Sequence, residues 1–439
     1  MFNESKNAIS KILFYIDKEA RYPTYDRRNH SKPKTIPSFV FAFDSTWNDY
    51  GTYNRFDVFF YEDYINVCHV GKVRIIELNQ NEAPYVLKNF LNNEYKEFPE
   101  TLVSLGVDKN YYETIYKLFN HDSESILIKL RDCAILPSAE IAAKKNFWWQ
   151  GSLMRSYDSE RSFREAISII HGKDIKDLYK FSYFFKPQYA TNNNKIDFLF
   201  DEQNKFFPRR IYALIGNNGV GKTQLLSSLP FSILEENKEV FSNKEIPPFR
   251  KIINISTSYY DNYPRPKSTE KCEYIYCGVL DENNNVLSME EQKNILGDNC
   301  IFINENNGKY FKTGEDFSEI EYKTLGQVTK EILELFFKNY NVNDIFYIPD
   351  TPFSKNILNI EIIKDIFENK MSSGERILLY NIFNILAKIS FNSLIFFDEP
   401  ETHLHPNAIT ELIAGLMFIL ETFQSFAIIA THSPRASAL

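Results

Sequence analysis

The segment ALIGNNGVGKTQLL constrains the fold more than any other stretch of this chain. It fits the pattern G-x-x-x-x-G-K-[ST] from Gly216 to Thr223, between an apolar run that predicts a strand and a run that predicts a helix. Glycines let the backbone wrap closely round phosphate groups, and the N–H groups of the loop and of the helix N-terminus supply partial positive charge. The segment therefore predicts an α/β domain with a phosphate-binding loop.

Two residues of this loop have separate expected roles. Lys222 is expected to reach the β- and γ-phosphates of ATP, and Thr223 is expected to ligate Mg²⁺. The alternative is a chance glycine-rich turn. The expected nucleotide-binding residues are Gly216, Asn217, Asn218, Gly219, Val220, Gly221, Lys222, Thr223 and Gln224.

A second motif, SLIFFDEPETHLHP, places two carboxylates after four apolar residues. A continuous apolar run predicts a strand buried on both faces of a parallel sheet. Open α/β sheets bind ligands at the carboxyl ends of such strands. We therefore expect Asp398 to hold Mg²⁺ through its water shell and Glu399 to orient and deprotonate the attacking water. The alternative for Glu399 is a surface carboxylate at a strand end.

A third motif, SFAIIATHSP, predicts another apolar strand that ends next to His432. A histidine at this edge can hydrogen-bond a γ-phosphate and sense whether it is present. The alternative is a histidine that caps a neighbouring loop. Glu399 and His432 are thus the two expected catalytic residues.

A fourth motif, MSSGE, precedes an apolar helical run. Ser372, Ser373 and Gly374 offer a hydroxyl, backbone N–H groups and a helix N-terminus, with little side chain to pack. Taken alone, this turn is typical of an ordinary helix N-cap.

In their order, the four motifs resemble those of ABC-type ATPase heads of the SMC/RecF/OLD class. The segments FFDEPETHLHP and ATHSP are most similar to the PtuA-like AAA family ATPases of bacterial anti-phage defence systems. The resemblance implies a P-loop NTPase ABC-type head, with a mostly parallel core sheet, an antiparallel β lobe and a helical insertion. It also implies that Ser372, Ser373 and Gly374 contact the γ-phosphate bound by a second protomer, so that a homodimer or higher oligomer sandwiches ATP.

The resemblance further implies an ATP-hydrolysing protein that regulates an effector, such as a separately encoded HNH-type nuclease. OLD proteins carry a nuclease domain after the head, and only SPRASAL follows His432 in this sequence. The sequence leaves no room for such a domain, and it stops so abruptly that a natural or truncated product lacking one or two edge elements is an alternative. ABC heads also usually have a glutamine after the strand that IINIS predicts here, where this sequence offers Ser258 and Asp261.

Apolar and polar patterns predict three regions along the chain. We expect an N-terminal helix and β lobe over 1–82, a helical insertion over 83–190 and the ATPase core over 191–439. Strands within 38–76, together with strands near 196–214, are expected to build the antiparallel lobe. In the insertion, Arg155, Arg161 and Arg164 favour a solvated helix face over a contact with a partner or nucleic acid.

Composition excludes several classes of protein. A net charge of −8 argues against extensive wrapping of nucleic acid, although a local basic face for DNA or RNA stays compatible with it. Five scattered cysteines without C-x-x-C spacing indicate a reduced cytoplasmic protein without structural zinc. No apolar run predicts a membrane span. His403 and His405 favour a contact between protomers over metal binding.

Two other functions fit the motifs. One is a DNA repair or maintenance ATPase of the RecF/SMC kind, and the other is a scaffold that holds ATP without turnover. The presence of Lys222, Asp398 and Glu399 argues against an inactive site, whereas slow turnover is compatible with all three readings.

Overall fold

The protein forms two compact units, Met1–Leu178 and Tyr179–Leu439, in a computed structural model. The residues that the structure describes are 10–17, 32–43, 52–79, 85–86, 90, 93–146, 148–154, 157–173, 175–188, 190–200, 209–217, 219–257, 264–307, 310–313, 321–337, 340–346, 356–402, 404 and 406–432.

The first unit contains a six-stranded sheet with the strand order β7-β1-β2-β4-β5-β8. Strand β1 pairs in parallel with β2, and the other neighbours in this sheet are antiparallel. A short parallel pair, β3 with β6, lies outside the sheet. The strands are β1 Leu13–Asp17, β2 Ser38–Phe43, β3 Thr52–Tyr53, β4 Arg55–Tyr61, β5 Val67–Glu77, β6 Tyr85–Val86, β7 Asn93–Tyr95 and β8 Leu102–Gly106.

Helices cover part of this sheet and bury an aromatic core. The helices are α1 Lys109–Phe119, α2 Ser123–Lys129, α3 Pro137–Lys144, α4 Tyr157–His171 and α5 Ile175–Leu178, with a π-helical turn at Trp149–Leu153. Helix α1 begins where the Asp108 side chain accepts a hydrogen bond from the backbone N of Asn110. Phe119 of α1 packs edge to face on Phe60 of β4, with ring centroids 5.0 Å apart. Helix α1 and strand β4 therefore share an apolar core, and a smaller separate cluster contains Val40, Ala42 and Phe59.

The first unit has the strands expected between 38 and 76. Of the segment expected to hold the N-terminal helix, residues 1–9 and 18–31 lie outside the described part of the chain, and the described part contains a strand. Residues Leu13–Asp17 form β1, because the segment fits between β2 and β7 and buries Phe14 and Ile16, with the less buried Tyr15 between them. The expected boundary at 82/83 falls inside this unit, since β8 pairs with β5.

The second unit contains a five-stranded parallel sheet with the strand order β11-β17-β16-β12-β13. The prediction of an α/β fold with a mostly parallel core sheet is therefore confirmed. The strands of this unit are β9 Lys180–Phe185, β10 Asn194–Leu199, β11 Ile211–Ile215, β12 Lys251–Ser256, β13 Glu273–Tyr276, β14 Tyr310–Thr313, β15 Glu321–Thr324, β16 Ser393–Asp398 and β17 Phe426–Thr431.

The strands near 196–214 do not join those of 38–76, contrary to our expectation. Strand β10 pairs antiparallel with β9, and β11 pairs in parallel with β17. The reason is that β11 supplies the phosphate loop and must lie in the parallel sheet, whereas β9 and β10 are close enough in sequence to form a hairpin.

Helices of the second unit connect the parallel strands. They are α6 Lys222–Leu234, α7 Met289–Glu305, α8 Leu325–Phe336, α9 Ile360–Asp365, α10 Ser373–Lys388 and α11 Pro406–Thr422, with 3₁₀ turns at Lys238–Val240, Ser242–Lys244 and Val342–Ile345 and a π-helical turn at Ile366–Lys370. None of the helices in the described part of the chain is long and apolar enough to span a bilayer.

The centre of the parallel sheet is fully buried. Every residue of β16 and of β17 is buried, as the apolar runs predict. Burying each large apolar side chain contributes about 1.5–3 kcal/mol to stability. Because neighbouring strands are parallel, the carboxyl ends of β11, β17, β16 and β12 lie along one edge of the sheet.

Candidate functional site

The phosphate loop joins β11 to α6. Gly219 and Gly221 have φ angles of 82° and 96°, in the left-handed region that glycine adopts without strain. A Cβ atom at Gly221 would lie 3.3 Å from Cβ of Pro187, which is in the connection between β9 and β10. In the same connection, the backbone N of Gln188 donates to Oε1 of Gln224 at 2.9 Å. The hairpin connection therefore packs against the start of α6.

Lys222 points back over its own loop. Its Nζ donates to the carbonyl oxygens of Gly216 at 2.8 Å and Asn217 at 3.2 Å. The same Nζ lies 3.2 Å from Nε2 of His432. The ammonium group of Lys222 is thus bound by carbonyl oxygens of its own loop. Phosphate oxygens at this position would supply negative charge to it.

Thr223 and Asp398 form a pair of oxygen ligands. Oγ1 of Thr223 donates to Oδ2 of Asp398 at 2.9 Å, and Asp398 is 2% exposed at the end of β16. A hydroxyl and a carboxylate are the hard oxygen donors that Mg²⁺ takes in nucleotide sites. The residues present therefore fit the expected magnesium ion.

Glu399 has a strained backbone. Its φ is +44°, which a non-glycine residue rarely adopts. Three hydrogen bonds hold this conformation: its N donates to the Ala430 carbonyl at 2.8 Å, and its own carbonyl accepts from Thr402 N at 3.0 Å and from Thr257 Oγ1 at 3.3 Å. These three hydrogen bonds hold Glu399 in its strained backbone conformation. Such strained conformations are common at functional sites.

The Glu399 side chain contacts His432. Oε1 of Glu399 lies 2.8 Å from Nε2 of His432, and both side chains are about one third exposed. Since an ionised carboxylate only accepts hydrogen bonds, this contact requires the proton on Nε2. With the proton on Nε2, the acceptor of the ring is Nδ1, which lies 3.5 Å from Nζ of Lys222. His432 thus lies between Lys222 and Glu399, although Lys222 and His432 are 210 residues apart in sequence.

Two further polar residues at this edge were not predicted from the sequence. Thr257 follows β12 and is 2% exposed. Glu401 accepts hydrogen bonds from Oγ1 of Thr431 at 2.7 Å and from the backbone N of His432 at 2.6 Å. The available signal was the position of each residue just beyond a buried strand, since such positions meet at one sheet edge.

The turn at 372–374 forms the N-terminus of α10. Ser372 is the N-cap, and Ser373 and Ser372 are exposed. Oγ and N of Ser372 contact Oε2 of Glu375 at 2.8 and 2.9 Å in a capping box. The Tyr340 hydroxyl donates to the Lys370 carbonyl at 3.0 Å in the π-helical turn just before it. The N-cap is thus present, and a contact of Ser372, Ser373 or Gly374 with another protomer's nucleotide stays a prediction.

Several predicted residues lie outside the described part of the chain. They are Asn218 in the phosphate loop, Ser258 and Asp261 after β12, Arg155, and the pair His403 and His405.

On α4, Nε of Arg161 donates to Oε1 of Glu165 at 2.7 Å, an i,i+4 pair within the helix.

Three of the cysteine thiols are buried in the second unit. Burial raises the pKa of the Cys272, Cys277 and Cys300 thiols to about 12, so these groups are neutral at pH 7. Among the described residues, no group of three His, Cys, Asp or Glu side chains is placed to hold a metal ion.

Comparison with known proteins identifies an ATPase-like segment. Residues 301–438 match the family model described as "AAA domain, putative AbiEii toxin, Type IV TA system". The matched segment includes Ser372–Gly374, Asp398, Glu399 and His432, and it begins after the phosphate loop. This part of the chain is therefore similar to an AAA-family ATPase domain.

Similarity over a longer range is found with one phage protein and with two solved structures. Protein ea59 of Escherichia phage lambda is 26% identical over 415 residues, which cover 88% of this chain and 76% of that protein. An inward-facing putative metal-chelate type ABC transporter is 15% identical, covering 58% of this chain and 75% of its own, with a TM-score of 0.27. UvrA2 from Deinococcus radiodurans is 14% identical, covering 59% and 34%, with a TM-score of 0.29.

Proposed function

We propose that this chain binds Mg-ATP and hydrolyses it. The observation that carries the proposal is the placement of five side chains at one sheet edge: Thr223 donates to Asp398, and His432 lies between Glu399 and Lys222. These residues come from the ends of three adjacent parallel strands, and their chemistry matches the parts that phosphoryl transfer requires.

The binding steps follow from the loop. Lys222 exchanges the carbonyl oxygens of Gly216 and Asn217 for phosphate oxygens, which carry more negative charge. Backbone N–H groups of the loop and the N-terminus of α6 hold the remaining oxygens. Thr223 and Asp398 would hold Mg²⁺, which would supply positive charge beside the phosphates.

Hydrolysis requires a group that positions water and accepts its proton. Glu399 is suited to this role because its carboxylate is partly exposed beside the phosphate loop and its backbone is fixed. His432 contacts both Glu399 and Lys222, so it is placed to respond when Lys222 turns to a γ-phosphate. We assign His432 the role of sensing the γ-phosphate.

We further propose that ATP brings two copies of this chain together, as a homodimer or within a higher oligomer. The exposed turn Ser372–Gly374 would then present its hydroxyls and backbone N–H groups to the nucleotide bound by the partner. The exposure of both serines and the resemblance to ABC-type heads support this assignment.

We infer a setting in anti-phage defence, in which this cytoplasmic ATPase, of the PtuA-like kind, regulates a separately encoded effector such as an HNH-type nuclease. The description of the matching family as a putative AbiEii toxin of a type IV TA system supports such a setting. A nuclease gene beside the gene for this chain would strengthen the inference. Co-purification of the two products with Mg-ATP would test it directly.

The ATPase proposal is tested by hydrolysis of Mg-ATP by the purified chain. Lys222→Ala removes the charge that meets the phosphates, and we expect activity to fall by at least about 100-fold. Lys238→Ala, at an exposed position outside the site, is the matched control and should keep wild-type activity. Equal activity of the Lys222→Ala and wild-type chains would contradict the assignment of the loop.

A mixing experiment tests the shared site. Lys222→Ala and Ser372→Arg chains are each expected to be inactive, but a mixed dimer holds one site with both changes and one site with neither. Mixing should therefore restore activity. No recovery, with mixed dimers demonstrated by mass, would place the whole site within one chain.

A further inference from the structure

Glu401 lies in the turn that follows β16, and the proposed mechanism of ATP hydrolysis does not use its carboxylate. Its Oε1 accepts two hydrogen bonds, from Oγ1 of Thr431 at 2.7 Å and from the backbone N of His432 at 2.6 Å. Both donors belong to consecutive residues at the end of β17. One carboxylate oxygen therefore joins the turn after β16 to the end of the neighbouring strand.

These hydrogen bonds determine where His432 can place its ring. The backbone N of His432 is held by Glu401, and ring atom Nε2 lies 2.8 Å from Oε1 of Glu399. Hydrogen bonds to an ionised carboxylate are roughly twice as strong as those between neutral groups. Without the one to Glu401, the His432 backbone would lose this restraint and the ring with it, while β17 stays paired with β11 up to Thr431.

Two backbone hydrogen bonds stabilise the turn that contains Glu399 and Glu401. The backbone N of Thr402 donates to the Glu399 carbonyl at 3.0 Å, and that of Leu404 donates to the Glu401 carbonyl at 2.9 Å. The same short turn thus carries the proposed general base and the carboxylate that holds the histidine backbone. Any displacement between the two is restricted by these bonds.

We propose that Glu401 is a positioning residue, which fixes the backbone of His432 so that its ring meets Glu399 and Lys222. The proposal rests on the proposed ATPase function. Glu401 contacts neither Lys222 nor Glu399 through the hydrogen bonds described, and it acts through His432. Its effect should therefore fall on turnover and spare the binding of ATP.

Kinetic measurements on Glu401 variants test this role. Misplacing a catalytic group by about 1 Å can cost 10²-fold in rate, so Glu401→Ala should lower kcat by about 10- to 100-fold. ATP affinity should stay within about twofold, because the phosphate loop is untouched. Glu401→Gln keeps an acceptor oxygen and should recover kcat to within about threefold of wild type. Glu334→Ala, at an exposed position of α8, is the matched control.

The alternatives give different kinetic results. Wild-type kcat in Glu401→Ala would overturn the proposal, and so would a Glu401→Gln variant as slow as Glu401→Ala. A double variant, Glu401→Ala with His432→Ala, should be no slower than His432→Ala alone, because a positioning residue has no effect without the group it positions. Losses that multiply in the double variant would show that Glu401 acts by another route.

Amide hydrogen exchange separates this proposal from the ATPase proposal. In Glu401→Ala, the His432 amide should exchange at least about tenfold faster, while amides within β16 keep their protection. Unchanged protection of the His432 amide would overturn the anchor. If the wild-type chain does not hydrolyse ATP but the Glu401→Ala variant shows this loss of protection, the anchor is supported and the ATPase function is rejected. If Glu401→Ala does not fold, Thr431→Val replaces it in the exchange test, because it removes one of the two donors and should loosen the same strand end.

Discussion

The phosphate loop and the ends of β16 and β17 meet at one sheet edge but are built differently. On the loop side, Ile215 is 51% exposed and Val220 is 54% exposed, and two glycines provide the turn. On the other side, both strands are fully buried before they reach Asp398 and Thr431. One side is open to solvent, whereas the other rests on the core.

Hydrogen bonding shows the same contrast. The Lys222 side chain contacts carbonyls of its own loop, which a nucleotide can replace without disturbing the core. Glu399, in contrast, is held by bonds to two other segments, through Thr257 and Ala430, and by a bond to Thr402 in its own turn. The element proposed for binding can therefore adapt to a ligand, while the element proposed for the chemistry is preorganised.

Replacing the proposed base, Glu399, should have the largest effect: it should reduce turnover strongly and leave ATP binding intact. Glu399→Gln keeps the size and hydrogen-bonding shape of the side chain but loses the basic oxygen, and we expect kcat to fall by about 10²- to 10⁴-fold. ATP should still bind, because Lys222, Thr223 and Asp398 are unchanged. Turnover and nucleotide retention are measured with Mg-ATP, and particle mass is followed by light scattering.

The Glu399→Gln experiment has two informative failures. Turnover at the wild-type rate would mean that the base lies elsewhere. Retention of ATP without any gain in mass would support the role in hydrolysis and reject the assembly of two chains around ATP. Asp398→Asn is the comparison, since it should weaken Mg²⁺-dependent binding itself.

Altering the loop should affect binding and leave turnover intact. At Gly221, an added Cβ meets Pro187 and the φ of +96° is strained for alanine, by about 1–3 kcal/mol. Gly221→Ala should therefore weaken ATP binding by about tenfold or more, with kcat at saturation close to wild type. Gly219→Ala is the control, because its φ of +82° is also positive but its Cβ meets nothing within 4 Å. Equal affinities of the two variants would show that contact with Pro187 is unimportant.

The smallest expected effect is at Thr257. Thr257→Val keeps the shape of the side chain and removes the hydroxyl that donates to the Glu399 carbonyl at 3.3 Å. One neutral hydrogen bond contributes about 1 kcal/mol, so kcat should fall by about two- to fivefold at an unchanged KM. Thr257→Ser retains the donor and should behave as wild type. A rise in KM with constant kcat would show that Thr257 contributes to ATP binding and not to turnover.

The order of strands and motifs was readable from the sequence because each motif follows an apolar run. LIFF and AIIA predict strands buried on both faces, and the polar residues that follow them must lie at a common edge. Glu401 escaped prediction because its role depends on the position of β17, which sequence distance does not reveal. The greater exposure of β11 than of β16 could not be predicted from the sequence either.

The first unit was less predictable for a physical reason. Short segments such as Leu13–Asp17 have too few residues to distinguish a helix from a strand, and pairing with β2 and β7 decides the outcome. Strand β8 likewise belongs to the sheet through its pairing with β5 across intervening residues. Such long-range pairings are set by the whole unit and leave little local signal.

The strand order β11-β17-β16-β12-β13 has a consequence for how this protein can be altered. Each site residue is attached to a strand end or to the first turn of a helix, and the remaining chain between motifs serves as connection. Lengthening a flexible surface connection costs only about 0.6 kcal/mol for each doubling of its length. The exposed turn at Glu282–Asn285, between β13 and α7, is therefore a suitable place for a reporter domain that leaves the sheet edge in register.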